Sequence, residues 1–365
     1  DGGCSSFAPT TWAASRLPRR QLLPILYSVS AAVMSVFAAS LWLDPDNVWT
    51  ARAFYIWLSV MNLFVISIAW SLMADLFERD RGHRLFGQIA AGASLGGLSG
   101  PLLSGLLVAT VGEPGLLLIS TCLLLLTLVF VRRLFRWRDR LGPRTDVPPA
   151  ERIAGSIWAG LTLIARSPYL IAIACFVLLL TTATTFLYFE QARIVEATFP
   201  DRTRQTQVFA ALDVVVQSLT ILIQLFFTGR LAKRLGVTIL LVAVPVTMMF
   251  GFGLLAMVAT FPALAFVMIV RRVGEYALVR PGREMLFTPV DAETKYKAKN
   301  AIDTLVYRGG DVISGWAYTG IVALASVSAI GLAGVAVAGI WAALGFAIGR
   351  WHDRQSKRPA TAFAE

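Results

Sequence analysis

The sequence predicts an all-α, multi-pass membrane protein, and three observations carry that prediction. Only 15% of the 365 residues are charged and 56% are hydrophobic, with a mean hydropathy of +0.67, whereas a soluble domain carries about 25% charged residues. Ten apolar runs approach or exceed the ~20 residues a helix needs to cross a bilayer. The 33 lysines and arginines gather in alternate loops, the bias that sets the orientation of a membrane protein. Together these exclude a soluble globular enzyme, a disordered chain and a disulfide scaffold.

The spans follow in order. Four apolar runs, 22–43, 51–74, 85–110 and 115–135, come first. The polar stretch 136–153, with Pro143, Pro148 and Pro149, reads as a linker. In 154–166, Ile157, Trp158, Leu161 and Ile164 recur at helical spacing and predict a short interfacial helix. Six further runs occupy 169–189, 206–227, 236–260, 262–279, 301–325 and 328–349. The expected organisation is a four-span N-terminal bundle at 1–135, a cytoplasmic linker with its interfacial helix at 136–168, a six-span C-terminal bundle at 169–350 and a cytoplasmic tail at 351–365.

With the N-terminus in the cytoplasm, 25 basic residues fall on that side and four (Arg52, Arg193, Arg202 and Arg204) on the other. The last four, Arg166, Arg271, Arg272 and Arg308, lie near or within spans. The net charge of +11 is therefore read as orientation in a bacterial inner membrane, with both ends of this chain cytoplasmic, and not as a nucleic-acid-binding surface. The partners expected are the lipid bilayer and a small-molecule solute. Three cysteines (Cys4, Cys122, Cys175) and two histidines (His83, His352) have no metal-ligand spacing, so no metal is expected. Cys122 and Cys175 sit inside apolar runs and read as small core residues. No phosphate-binding Gly-x-x-x-x-Gly-Lys-Ser/Thr motif, catalytic triad or cofactor signature occurs, so neither enzymatic chemistry nor a cofactor is expected.

An internal echo suggests repeated halves. Ser15-Arg16-Leu17-Pro18-Arg19-Arg20 precedes the first span, and Gly229-Arg230-Leu231-Ala232-Lys233-Arg234 follows the sixth. The second copy comes after two spans of its bundle. By symmetry the first should too, which makes the ten spans numbers 3 to 12 of an expected twelve. The first residue, Asp1, is not a natural start, in keeping with that expectation.

The second copy, with Leu235 and Gly236, resembles the loop motif of major facilitator transporters, although Lys233 stands where an Asp is usual. Gly87, Gly96, Gly100-Pro101 and Ser104-Gly105 are similar to the glycine-proline motif of major facilitator antiporters, with Ser104 in place of one Gly. Such glycines allow close helix contact, and Pro in a span loosens its hydrogen-bond ladder; generic small-residue packing is the alternative. A wider resemblance is to the ATP/ADP translocase-like branch. It rests on Ala74-Asp75-Leu76-Phe77, Arg84-Leu85-Phe86-Gly87, Gln191-Ala192-Arg193, Phe199-Pro200-Asp201-Arg202, the run from Arg280 to Phe287, and the run from Asp291 to Gly310. The resemblance implies a major facilitator-type helical bundle working as an antiporter by alternating access, and an anionic organic solute, a nucleotide being the first candidate. The alternatives are a proton-coupled exporter of drug-like or siderophore-like molecules and a non-transporting membrane partner or sensor.

Ionisable residues inside spans mark function by default, because burying one costs about 2.5–3.5 kcal/mol on insertion scales. Arg271 and Arg272 lie nine and ten residues beyond Pro262, about 14–15 Å along a helix. Glu275 and Tyr276 follow one turn later. These four form a candidate anion site, since the guanidinium fork suits carboxylate or phosphate; the alternative is a structural Arg271–Glu275 pair. Asp213, Gln217 and Gln224 make a polar stripe on an otherwise apolar helix, suited to lining a water-filled path or to a helix–helix network. Asp303, Tyr307 and Asp311 recur every four residues beside Arg308 and read first as a gating network. Asp75 and Arg84 belong to a mixed-charge cytoplasmic junction suited to a salt-bridge lock.

Overall fold

The computed structural model of the chain describes residues 19–76, 79–140, 157–325 and 327–356. Among the described residues every regular element is helical, and each of the ten expected spans lies on a helix. The chain divides into two compact units, Asp1–Ala150 and Glu151–Glu365.

The first unit holds α1 (Arg19–Leu43), α2 (Val48–Leu76) and the long run α3 (Arg79–Arg140). Asn47 caps α2, its Oδ1 accepting from the backbone N–H groups of Trp49 and Thr50 at 3.0 Å, which supplies partners that a helix start otherwise lacks. Inside α3, Gly112 adopts φ 68°, ψ −179°, a conformation that only glycine reaches cheaply. It turns the chain back between the third and fourth expected spans. α1 packs along the second half of α3 through Leu23, Tyr27, Leu128, Val131 and Phe135, and onto α2 through Phe37, whose ring lies 5.3 Å from Phe54.

The second unit begins with α4 (Ile157–Arg166) and α5 (Pro168–Thr198). Ser167 accepts from the Leu170 N–H and Pro168 follows at the first helical position, where its missing donor costs nothing. Next come α6 (Arg202–Ile223), capped by Asp201, α7 (Gly229–Met257), α8 (Phe261–Gly274), α9 (Arg280–Leu286), α10 (Ala292–Ala301), α11 (Tyr307–Leu324) and α12 (Val327–Ser356). Gly236 in α7 has φ 71° and makes the same kind of turn as Gly112. Three π-helical turns, Gln224–Thr228, Glu275–Val279 and Ile302–Val306, join α6 to α7, α8 to α9 and α10 to α11.

Six helical stretches are long and apolar enough to cross a membrane: Leu23–Leu43, Ala91–Trp137, Pro168–Thr198, Arg202–Phe226, Gly236–Met257 and Ala329–Arg354. Ala91–Trp137 has 47 residues, about twice a single crossing, and holds the Gly112 turn. The expected spans at 262–279 and 301–325 lie on helical runs interrupted by π turns and carrying charged residues. The core of the second unit centres on Phe176, Val177, Leu241, Leu264, Phe252 and Trp341, all almost wholly buried. The outer faces instead display Val36, Phe250, Phe266, Trp316 and Leu332, as expected of helices solvated by lipid.

α7 and α12 form the most extensive helix pair. Glycines make the approach: a Cβ at Gly331 would fall 2.5 Å from Ala256 Cβ and 2.9 Å from its Cα, and one at Gly349 2.6 Å from Thr238 Cα. In lipid, where apolar burial gives no drive for helices to associate, this backbone proximity and its dispersion contacts hold helices together.

Several details depart from expectation. Cys122 and Cys175 are exposed, because apolar runs in a bilayer have a lipid-facing side as well as a core side. A Cβ at Gly96 or Gly100 would meet nothing within 4 Å among the described residues, whereas Pro101 and Gly105 are half-buried. α3 continues through Arg140, into the stretch expected as linker. The expected interfacial helix α4 docks on α10: a Cβ at Gly160 would fall 2.6 Å from the Lys297 carbonyl oxygen.

Gly331→Val should therefore separate α12 from α7 at an overpacking cost of about 1–3 kcal/mol, while Gly320→Ala, whose added Cβ would meet nothing within 4 Å, should be tolerated. Thermal unfolding of the two purified variants reads the contrast; equal midpoints would remove the glycine-approach account of this pair.

Candidate functional site

α8 carries the two arginines into the second unit. Arg271 is 7% exposed and Glu275 likewise. The Arg271 Nη1 donates to Glu275 Oε2 at 2.7 Å and to Thr184 Oγ1, on α5, at 3.0 Å. The first bond lies along one helix and the second reaches across to another, so Arg271 ties α8 to α5 as well as neutralising Glu275. Its Nε is buried without a hydrogen-bond partner among the described residues, which leaves one donor unsatisfied at a cost of about 1–3 kcal/mol.

Arg272 points to the other side and pairs with Asp213 of α6, its Nη1 donating to Asp213 Oδ1. Their side chains are 22% and 38% exposed, against 9% and 10% for Arg271 and Glu275. The helical offset of 100° between consecutive residues explains the split: one arginine turns inward while its neighbour faces an opening. That opening is a pocket of about 410 Å³ lined by Thr184, Tyr188, Gln191, Ala192, Phe209, Asp213, Met268, Arg271 and Arg272. The three expected residues Arg271, Arg272 and Asp213 thus meet at one pocket. Glu275 reaches it only through Arg271, and neither Tyr276 nor Gln217 lines it.

Tyr276 contacts the Arg272 guanidinium through its hydroxyl and meets a second arginine as well. Its ring lies under the Arg280 guanidinium at 4.4 Å, and its carbonyl accepts from Gln224 Nε2 at 3.2 Å. Both Tyr276 and Gln224 belong to π turns. A π turn widens the i→i−4 ladder to i→i−5 and re-aims the side chains that follow, which periodicity at 3.6 residues does not anticipate. The same effect splits the expected Asp303–Tyr307–Asp311 face. Asp303 lies within the π turn Ile302–Val306 and pairs with Arg283 at 3.2 Å. Asp311 pairs with Arg308 at 3.5 Å and accepts from Thr185 Oγ1. The residues expected as one network are therefore two. Lys299 and Glu284 add an exposed pair beside the first. The side chains of Asp75 and Arg84, and the surroundings of Gly87, lie outside what the structure describes.

A cluster that the apolar runs did not mark sits at the far end of α5. Glu190 is 6% exposed; it accepts from Tyr318 Oη at 2.9 Å and from Arg193 Nη2 at 2.6 Å. Phe189 stacks on Tyr318 with ring centroids 4.8 Å apart. The expected span ended at Phe189, whereas α5 runs on to Thr198 and carries Glu190 and Gln191 inside. A hydropathy boundary stops at the first polar residue even where the helix buries it; the signal available was the Glu190–Arg193 spacing of one helical turn. Thr184 was missed for another reason: it is one of four threonines in 181–185, and composition does not say which of them faces another helix. No group of three or more metal-ligating side chains occurs among the described residues.

Glu275→Gln should lower stability by about 3–5 kcal/mol, since it strands a buried guanidinium, and Asp213→Asn by about 1 kcal/mol or less, since water reaches that pair. Thermal unfolding of the two variants tests the ordering, and a larger loss for Asp213→Asn would contradict the burial argument.

Residues 3–280 match the family model of the Major Facilitator Superfamily. Among curated proteins the chain is similar to ADP,ATP carrier protein 1 of Chlamydia muridarum (strain MoPn / Nigg), 24% identical over 299 residues that cover 72% of this chain and 56% of the relative. It is likewise similar to ADP,ATP carrier protein 1 of Chlamydia trachomatis serovar D, 23% identical over 299 residues, covering 72% of this chain and 57% of that one. The chain thus spans somewhat over half the length of the curated relatives it matches. Among solved structures, a bacterial homolog to the human lysosomal transporter Spinster, in an inward-facing and unoccupied conformation, aligns with a TM-score of 0.58 at 13% identity, covering 96% of this chain and 87% of that one. At that identity the likeness establishes the fold.

Proposed function

We propose that this chain, which belongs to the major facilitator superfamily and is thereby a multi-pass membrane transporter and not an enzyme, is a secondary transporter that binds the acid group of an organic solute at Arg271 and Arg272 and moves it by alternating access. The observation that carries this reading is the pair of adjacent arginines lining one open pocket in a unit whose core is otherwise apolar. An arginine at such depth is retained against a substantial insertion cost, and two of them present donors matched to a carboxylate or phosphate. Thr184 and Gln191 add neutral hydrogen-bonding groups, and Tyr188, Phe209 and Met268 offer apolar surface. Exchange of one solute for another requires no hydrolysis, which agrees with the missing phosphate-binding motif. The likeness to the chlamydial ADP,ATP carriers makes adenine nucleotides the first solutes to assay. The basic loops place both ends of this chain in the cytoplasm of a bacterial cell under the same reading.

In counterflow with proteoliposomes, Arg272→Ala should reduce flux of an acidic solute by at least about tenfold, the scale of a lost charge-assisted contact. Unchanged flux in both Arg271→Ala and Arg272→Ala would remove the arginines from the transport path.

A second reading, proton coupling, is favoured by one observation. Glu190 is buried with a hydroxyl and a guanidinium as its partners, an arrangement that can exchange a proton when the partners move. Glu190→Gln should then leave counterflow intact and abolish flux driven by a pH gradient. Gradient-driven flux equal to that of the parent chain would discard this reading.

A further inference from the structure

The charges around the pocket balance. Arg271 is matched by Glu275 and Arg272 by Asp213, so two positive groups meet two negative ones. A solute with several negative charges would enter a site without surplus positive charge and would have to displace carboxylates from both arginines. Each uncompensated like-charge contact in such a site opposes binding, more strongly the less water reaches it. A solute with net charge zero meets no such penalty.

The two pairs also differ in access. Arg271–Glu275 is the more buried pair, with both side chains about nine-tenths buried and Arg271 alone of the two lining the pocket, whereas Arg272 and Asp213 are partly exposed and both line it. The accessible recognition element is therefore a cation and an anion side by side, not a cation alone. Its complement is a ligand with an anion and a cation equally close together. The wall beyond this pair carries Tyr188, Phe209 and Met268, two aromatic rings and a thioether that favour an apolar or aromatic body.

We propose that the acid group bound at Arg272 belongs to a small zwitterion of net charge zero, whose cationic group is held by Asp213 and whose apolar or aromatic body lies against Tyr188, Phe209 and Met268. The proposal rests on the reading that the arginines bind the solute's acid group, and it narrows the solute from organic anions in general to molecules with acid and amine on neighbouring atoms. The solute's two charges replace, one for one, the contacts that Arg272 and Asp213 make with each other, so the site is neutral before and after binding. Two other polar lining residues, Thr184 and Gln191, are neutral; the Thr184 hydroxyl donates to the Leu180 carbonyl and accepts from Arg271, whereas the Gln191 amide can both donate and accept.

Three probes with one ring system separate the charges: tryptophan (zwitterion), indole-3-propionate (the same acid without the amine) and tryptamine (the amine without the acid). Binding is measured by isothermal titration of the purified full chain in nanodiscs, with empty nanodiscs subtracted and ATP as a polyanionic fourth probe. In the parent chain tryptophan should bind roughly tenfold or more tightly than either single-charge analogue, a difference that corresponds to ~1.4 kcal/mol, and ATP weakest. Asp213→Asn should weaken tryptophan by roughly tenfold and strengthen indole-3-propionate, inverting their order. Arg272→Gln should do the reverse, favouring tryptamine. Because the two variants move in opposite directions, general loss of fold cannot mimic the pattern. Indole-3-propionate or ATP binding more tightly than tryptophan in the parent chain overturns the zwitterion proposal and leaves the acid-binding reading standing. Binding of none of the indole probes overturns it as well. Tryptamine binding most tightly in the parent chain, or Arg272→Gln leaving every affinity unchanged, removes the acid-binding reading and the proposal together.

Discussion

A charge placed in a low-dielectric helical unit must find an opposite charge, and much of the second unit is arranged around that constraint. Arg271 is held by Glu275 on its own helix and by Thr184 across to α5, and Arg272 reaches α6 through Asp213. Two consecutive residues thereby connect α8 to two different neighbours. Apolar contact alone gives little preference for one helix partner over another in lipid, because lipid tails are as apolar as leucine. The paired charges select partners, and the glycine approaches between α7 and α12 supply the close packing that apolar side chains by themselves do not specify.

The π turns belong to the same account. Glu275–Val279 begins at the residue that neutralises Arg271, and the Tyr276 carbonyl within it is satisfied by Gln224, which opens another π turn. A wide turn exchanges regular hydrogen bonds for freedom to re-aim side chains. Here it lets α8 present Arg271 and Arg272 to the core and the pocket and then carry Arg280 and Arg283 onward to Tyr276 and Asp303. An uninterrupted α-helix from Phe261 to Leu286 would keep all of these on a fixed 100° schedule. Segments with interrupted ladders are also where a rocking transporter can bend without breaking its packed core.

Much of the architecture was legible because bilayer physics writes directly on a sequence. An apolar run of about twenty residues has few other uses, and the ten runs lie on helices, with six stretches long and apolar enough to cross a membrane and turns at Gly112 and Gly236. The arginines were legible for the same reason: Arg271 and Arg272 stand out because their surroundings are apolar. Periodicity was less dependable. It placed Tyr276 one turn from Arg272, which it contacts, but it also put Asp303 on a face with Asp311, and there the π turn Ile302–Val306 intervened. Hydropathy also ended the α5 span at Phe189 and so passed over Glu190 and Gln191, which the helix buries.

By itself, then, the sequence determined that this chain lives in a membrane, where its apolar runs lie and which charges are expensive enough to require a purpose, because each of these depends on composition along a line. Only the tertiary structure decided which charges meet. Asp213 and Arg272 are 59 residues apart and touch, Thr184 and Arg271 are separated by 87, and Glu190 and Tyr318 by 128. Pairing across helices follows from the azimuth of each side chain and from where π turns and glycine contacts set the helices. Those quantities are properties of packed neighbours and have no counterpart in a one-dimensional pattern.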